Sequence, residues 1–143
     1  MSVSSILKHK GGDVVTIRPD DTLHHAARTL ARHRIGALVV LGGAGEVSGI
    51  LSERDVVAAL ASHGPTALDQ SCGAYMTADV VTCAPGDTVE DLMEMMTKGR
   101  FRHLPVVDGG QLRGIISIGD VVKRRIDDAV HEAQSLKEYI ATG

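Results

Sequence analysis

Apolar and polar positions follow two different rhythms along this chain, and the rhythm changes at matching places in its two halves. Val14-Val15-Thr16-Ile17 is a β-branched run that ends at Pro19, and Val80-Val81-Thr82-Cys83 is a second that ends at Pro85. β-Branched residues suit a pleated, half-buried surface, so a strand is predicted over 14–17 and again over 80–83. After each proline the spacing lengthens. Leu23, Ala26, Ala27 and Leu30 fall at i, i+3, i+4 and i+7, and Val89, Leu92, Met93 and Met96 do the same. That spacing predicts two helices with one apolar face each, capped by Asp21 or Thr22 and by Asp87 or Thr88. The pair Met95-Met96 reads as flexible core filler. Continuous apolar strands follow at 37–41 and 47–52, joined by Gly42-Gly43-Ala44-Gly45, and at 104–107 and 112–118, joined by Asp108-Gly109-Gly110. Glycine clusters between strands are hairpin chemistry, not a phosphate loop, which connects a strand to a helix. A further helix starts near Glu53 and another near Gly119.

The two halves are copies. At an offset of 66 residues Val14-Val15-Thr16 meets Val80-Val81-Thr82, Pro19 meets Pro85, Asp21-Thr22 meets Asp87-Thr88, and Arg34 meets Arg100. One deletion in the second glycine turn shortens the offset to 65, after which Gly49-Ile50-Leu51-Ser52 meets Gly114-Ile115-Ile116-Ser117, and Asp55 meets Asp120. Each copy reads β-α-β-β-α, giving an α/β (α+β) module of two tandem repeats related by a pseudo-twofold axis, with sheet faces left for the partner repeat to cover. The boundaries are an N-terminal segment 1–13, a first repeat 14–62, a connector 63–79 broken by Gly64-Pro65, a second repeat 80–126, and an extension of the last helix over 127–143.

Composition narrows the function. At 43% apolar and 23% charged residues the chain has a globular balance, and at 2% aromatics its core must be aliphatic. A formal net charge of −3 argues against a general nucleic-acid binder, whose affinity comes from phosphate contacts. Cys72 and Cys83 do not form a CxxC pair and read as reduced thiols. The start MSVSSILKHKGG lacks a long apolar run, and the longest apolar stretches are too short for a bilayer, so a cytoplasmic protein is expected.

Gly49-Ile50-Leu51-Ser52-Glu53-Arg54-Asp55, Gly114-Ile115-Ile116-Ser117-Ile118-Gly119-Asp120, Arg102-His103-Leu104-Pro105-Val106-Val107-Asp108 and the paired Val-Val-Thr openings together resemble the cystathionine-β-synthase (CBS) domain pair, or Bateman module. The resemblance covers residues 14 to about 126. It implies a stand-alone regulatory module, a disk-shaped homodimer, and clefts between repeats that hold an adenosine-containing ligand, AMP first, then ATP, ADP or NAD. No cofactor is required. On that resemblance Thr16, Ile17 and Asp21 would face Ile116, Ser117 and Asp120, and Thr82, Cys83 and Asp87 would face Ser52 and Asp55. Arg102 and His103, ahead of Pro105, would hold phosphate. The first repeat has Gly36-Ala37 in their place, with Arg54 able to compensate, so the clefts are expected to be unequal and the one at Asp120 and His103 the better.

The residues have plainer readings as well. Ser-x-x-acid ahead of an apolar run is also a capping box. Arg102 and His103 can be a solvated strand end. His24-His25 are sequence neighbours that do not face one way, which disfavours a metal pair. Lys123-Arg124-Arg125 reads as a solvated helix face. No nucleophile with a neighbouring base, metal cluster or P-loop lysine motif is evident, so an enzyme is not expected. The alternative is a structural dimerisation module with no physiological nucleotide.

Overall fold

The chain is described here from a computed structural model over residues 2–142; Met1 and Gly143, the outer ends of the segments 1–13 and 127–143, lie outside the described residues. The element order is α1 (Val3–Lys10), β1 (Thr16–Ile17), α2 (Leu23–His33), β2 (Ala37–Leu41), β3 (Val47–Ser52), α3 (Glu53–His63), two 3₁₀ turns (Gly64–Asp69 and Cys72–Ala74), α4 (Val89–Gly99), β4 (His103–Asp108), β5 (Gln111–Ser117) and α5 (Ile118–Thr142). This is an α+β fold. β1 pairs parallel with β2, which pairs antiparallel with β3, and β4 pairs antiparallel with β5. Gly109 and Gly110 take φ of 59° and 78° in the second hairpin turn, which is why that turn needs two glycines.

The predicted strand over 80–83 is reduced to one parallel bridge, Cys83 with Val106. Pro105 explains the loss. Cys83 N–H donates to the Pro105 carbonyl and Val107 N–H donates to the Cys83 carbonyl, both at 2.9 Å. Extending the parallel ladder by two residues needs an N–H at position 105, and proline has none. In the first repeat Val39 occupies that position, and Thr16 and Ile17 pair as a strand with Val39 and Val40. That strand is also shorter than the 14–17 expected.

Thr22 and Thr88 are the N-caps of α2 and α4, accepting from the amides of His25 and Asp91 at 3.1 Å. The apolar stripes are buried at Leu23, Ala26 and Leu30 and at Val89, Leu92 and Met96, but Met93 is 40% exposed. It faces the open groove between α4 and α5 instead of the core.

The core forms two clusters, one per repeat. Ile17, Leu23, Leu38, Val40, Leu51 and Val56 build the first, and Leu92, Leu104, Val106, Ile116 and Val121 the second. Alternate positions Ala37, Val39 and Pro105 point away from these clusters and are buried too, so both sides of the central strands are covered.

The segment 1–13 contains α1, which the sequence pattern did not reveal, and its Val3 and Ile6 belong to the second core. Cys72 and Ala67, which lead into the second repeat, belong to the first. The docking is equivalent: Val3 and Ser4 amides donate to Asp87 and Pro85 carbonyls, and Cys72 and Gly73 amides donate to Asp21 and Pro19 carbonyls. Each repeat's leading segment therefore packs on the other repeat.

Candidate functional site

The pseudo-symmetry brings two Ser-x-x-Asp corners to equivalent places. Ser52 N–H and Oγ–H donate to Asp55 Oδ2 at 2.8 and 3.1 Å, and Asp55 N–H returns to Ser52 Oγ at 3.3 Å. At Ser117 and Asp120 the same three bonds measure 2.8, 3.0 and 3.2 Å. Both corners are thus capping boxes in fact, as their plainer reading held. Because the box uses only Oδ2, each carboxylate keeps an oxygen outside it. The helix starts are fixed the same way, by Glu53 N–H on the Gly36 carbonyl and Ile118 N–H on the Arg102 carbonyl.

A cleft of about 390 Å³ opens in front of the first corner. It is lined by Ser52, Glu53, Arg54 and Asp55 at the start of α3, by Thr77, Asp79, Val80 and Val81 where the chain enters the second repeat, by Arg100, Arg102 and His103 at the junction of α4 and β4, and by Gly36. One cleft thus gathers a carboxylate at a helix N-terminus, three guanidinium groups, an imidazole and two valines. Arg100 ends α4 with φ of 55°, a left-handed conformation that glycine normally fills, and Arg34 at the equivalent end of α2 has φ of 54°. Burial holds the His103 imidazole below its usual value, with Lys10 and Arg102 pushing the same way and Asp120 and Glu53 opposing. His103 is therefore disposed to be neutral until an anion arrives.

The structure groups the expected residues differently from the sequence reading. Arg102 and His103 line the cleft of Asp55, although His103 also feels Asp120. Asp120 itself is met by Lys10, whose Nζ lies 2.7 Å from Oδ2. Thr82, Cys83 and Asp87 do not line the Asp55 cleft; the residues just before them do. Thr82 is exposed, Cys83 sits in the second core, and Asp87 accepts the Ala84 amide at 2.8 Å. On the other side Thr16 is exposed, Ile17 is core, and Asp21 accepts the Arg18 amide at 2.8 Å. Pro105 is buried in β4 and Ile116 in the second core. The resemblance marked these residues; in this structure the Asp21 and Asp87 carboxylates close their turns, and Ile17, Cys83 and Ile116 lie in the cores. The sequence reading missed Lys10, Asp79, Val80 and Val81. In the repeat alignment only Asp79, which meets Asp13 at the 66-residue offset, carried a signal, together with its neighbours Val80 and Val81.

Burial, aided by Asp21, pushes the Cys72 thiol up to about 11, and burial aided by Asp87 pushes Cys83 up to about 12. Neither is a reactive thiolate at neutral pH.

A family model for the CBS domain matches residues 3–62 and again residues 72–127. The chain belongs to the CBS-domain family. Both matches begin in the leading segments, so the swapped α1 and the turn at Cys72 are part of the CBS unit. A CBS-domain containing protein of Agrobacterium tumefaciens has the same fold with a TM-score of 0.85 and 52% identity, covering 87% of this chain and 99% of that one. The mitochondrial CBS domain-containing protein CBSX3 of Arabidopsis thaliana is 33% identical over 150 residues, 99% of this chain and 73% of that protein. A CBS domain protein of Pyrobaculum aerophilum, solved in complex with AMP, is 27% identical with a TM-score of 0.76, covering 84% of this chain and 89% of that one. Among the described residues no helix is long and apolar enough to cross a membrane.

Proposed function

We propose that this CBS pair is a regulatory module, not an enzyme, that binds an adenosine-containing nucleotide, AMP first, in the cleft of Ser52 and Asp55. The observation that carries this reading is the gathering, around one cleft, of the Asp55 carboxylate and the cations Arg54, Arg100, Arg102 and His103. Vicinal ribose hydroxyls need a shared acceptor, which the Asp55 oxygen left outside the capping box supplies. Phosphate needs cations, which the arginines supply, and the positive end of the α3 dipole lies at the same corner. The valines at 80 and 81 offer the apolar slot for adenine. The AMP complex of the Pyrobaculum relative supports the ligand class. Calorimetric titration with AMP, ADP, ATP, NADH and S-adenosylmethionine tests the reading. Saturable binding by one of the series is expected; no binding by any sinks it in favour of a structural module.

Bound phosphate should reverse the bias on His103. An adjacent dianion favours imidazolium, so binding takes up a proton and affinity rises as pH falls from the raised value of the bound imidazole toward the lowered value of the free one. The phosphate loses charge near the same pH, so the informative comparison is His103→Gln. That variant should show a flatter pH dependence of AMP affinity than the wild type, and equal slopes would remove His103 from the site.

The helix face opposite the sheets supports a homodimer. Val122, Ile126 and Val130, one turn apart on α5, are 49%, 58% and 64% exposed, and a groove of about 450 Å³ lined by Met93, Val121, Val122 and Ile126 runs between α4 and α5. Isolated apolar residues need no partner, but a contiguous set does. Ile126→Glu is expected to weaken association by at least about a hundredfold, as for a hot-spot residue, in sedimentation equilibrium. An unchanged mass at every loading concentration would exclude this face.

A further inference from the structure

The two Ser-x-x-Asp corners differ in the charged side chain that meets them. Leu7 covers Gly114 in the second repeat as Met76 covers Gly49 in the first: an added Cβ at either glycine would lie 2.6 Å from the covering side chain. The third residue beyond Met76 is Asp79, which lines the first cleft. The third residue beyond Leu7 is Lys10, the last residue of α1. Its Nζ donates to Asp120 Oδ2 at 2.7 Å and to the Ile115 carbonyl at 2.8 Å. Counted from these covering residues the two corners thus meet opposite charges; the segment between Leu7 and Val14 is three residues longer than that between Met76 and Val80, and at the 66-residue offset Asp79 itself matches Asp13. An aspartate cannot pair with Asp55 and leaves that carboxylate open. A lysine neutralises Asp120, and the carbonyl gives its ammonium a second acceptor. The pair is partly shielded, with side chains 32% and 24% exposed. Burial opposes ionisation of Asp120, but the Lys10 ammonium and the Ser117 amide outweigh it and hold the carboxyl below its ordinary value.

We propose that Lys10 is the resident counter-ion of the second Ser-x-x-Asp corner, neutralising the carboxylate on which a ribose would otherwise sit, so that the module binds nucleotide at the first corner alone. The proposal rests on the nucleotide reading of the Ser-x-x-Asp corners. The ammonium competes on three counts. It neutralises the Asp120 carboxylate through Oδ2 and so weakens the charged acceptor that ribose hydroxyls need, it is held by α1, whose Val3 and Ile6 are anchored in the second core, and it returns at no cost in translational freedom whenever a ligand leaves. Gly11, at φ of 91°, and Gly12 follow Lys10, so the chain can turn there into the strand without moving the anchored part of α1.

The test is calorimetric titration with AMP of the wild type, Lys10→Met, and Lys10→Met combined with Asp120→Asn. Methionine keeps the aliphatic stem and removes only the charge. The wild type is expected to bind one AMP per chain. Lys10→Met should gain a second binding event at least about tenfold tighter than any residual binding there in the wild type, because the competing state is gone. Asp120→Asn should remove that event again. A wild type that already fills both clefts, or a Lys10→Met variant that still binds one AMP, overturns the inference and leaves the nucleotide reading intact. If AMP binds neither protein, the nucleotide reading fails, and carbon-detected NMR titration of the Asp120 carboxyl still decides the contact. An upward shift in Lys10→Met supports the occupancy, and an identical titration overturns it.

Discussion

Asp55→Asn is expected to weaken AMP binding by about a hundredfold, since two hydrogen bonds to a charged acceptor at roughly 1.5 kcal/mol each are removed. The fold should persist. The amide oxygen can still accept the Ser52 amide that Asp55 Oδ2 now accepts at 2.8 Å, so the cost to stability is that of a weakened cap, no more than about 1 kcal/mol. Ser52→Ala separates the two roles of the corner. It removes the hydroxyl that receives the Asp55 amide, so it should lower stability by about 1 kcal/mol while leaving the ribose acceptor in place. Titration of both variants beside thermal unfolding therefore gives crossed results if the corner binds ligand. Binding falls mainly in one and stability mainly in the other. If Asp55→Asn loses stability but keeps AMP affinity, the corner is a helix cap alone and the site lies elsewhere.

The repeat was the most legible feature because it was written twice. Leu23, Ala26 and Leu30 and their counterparts Val89, Leu92 and Met96 are buried where the 3.6 spacing puts them. The strands at 37–41 and 47–52 have their expected limits, because a continuous apolar run between glycines leaves little freedom of boundary. Local pattern failed where partners decide. Val80 and Val81 look like strand residues, and only the missing N–H of Pro105, far away in the chain, prevents the ladder. α1 has no pronounced stripe, and its helix is stabilised by burying Val3 and Ile6 in a core made by residues beyond position 80. The aspartates at 21 and 87 carry the right chemistry for a ribose, yet each is turned back on the amide three residues before it. The grouping of Arg102 and His103 with Asp55 followed from neither motif. It depends on how the repeats are apposed, which spacing along one chain does not encode.

The exchange of leading segments has an energetic consequence. If each repeat were a separate unit, the two cores would melt separately. Instead the first core holds Ala67 and Cys72, which open the second repeat, and the second core holds Val3 and Ile6, which open the first. Losing either core removes buried side chains from the other's supporting chain, so the module should unfold as one cooperative unit. Leu38 and Leu104 are equivalent positions, both fully buried. Leu38→Ala and Leu104→Ala are each expected to cost about 3 kcal/mol, the sum of lost transfer energy and an incompletely closed cavity. That is a large share of the roughly 5–15 kcal/mol that holds a domain of this kind folded. In urea titrations followed by circular dichroism, each variant should lower the midpoint of a single transition and leave its slope unchanged, because the slope tracks the surface exposed by the whole module. A biphasic curve, with one half of the signal shifted by Leu38→Ala and the other by Leu104→Ala, would mean that the exchanged segments do not couple the repeats. The two clefts would then sit between units free to open independently.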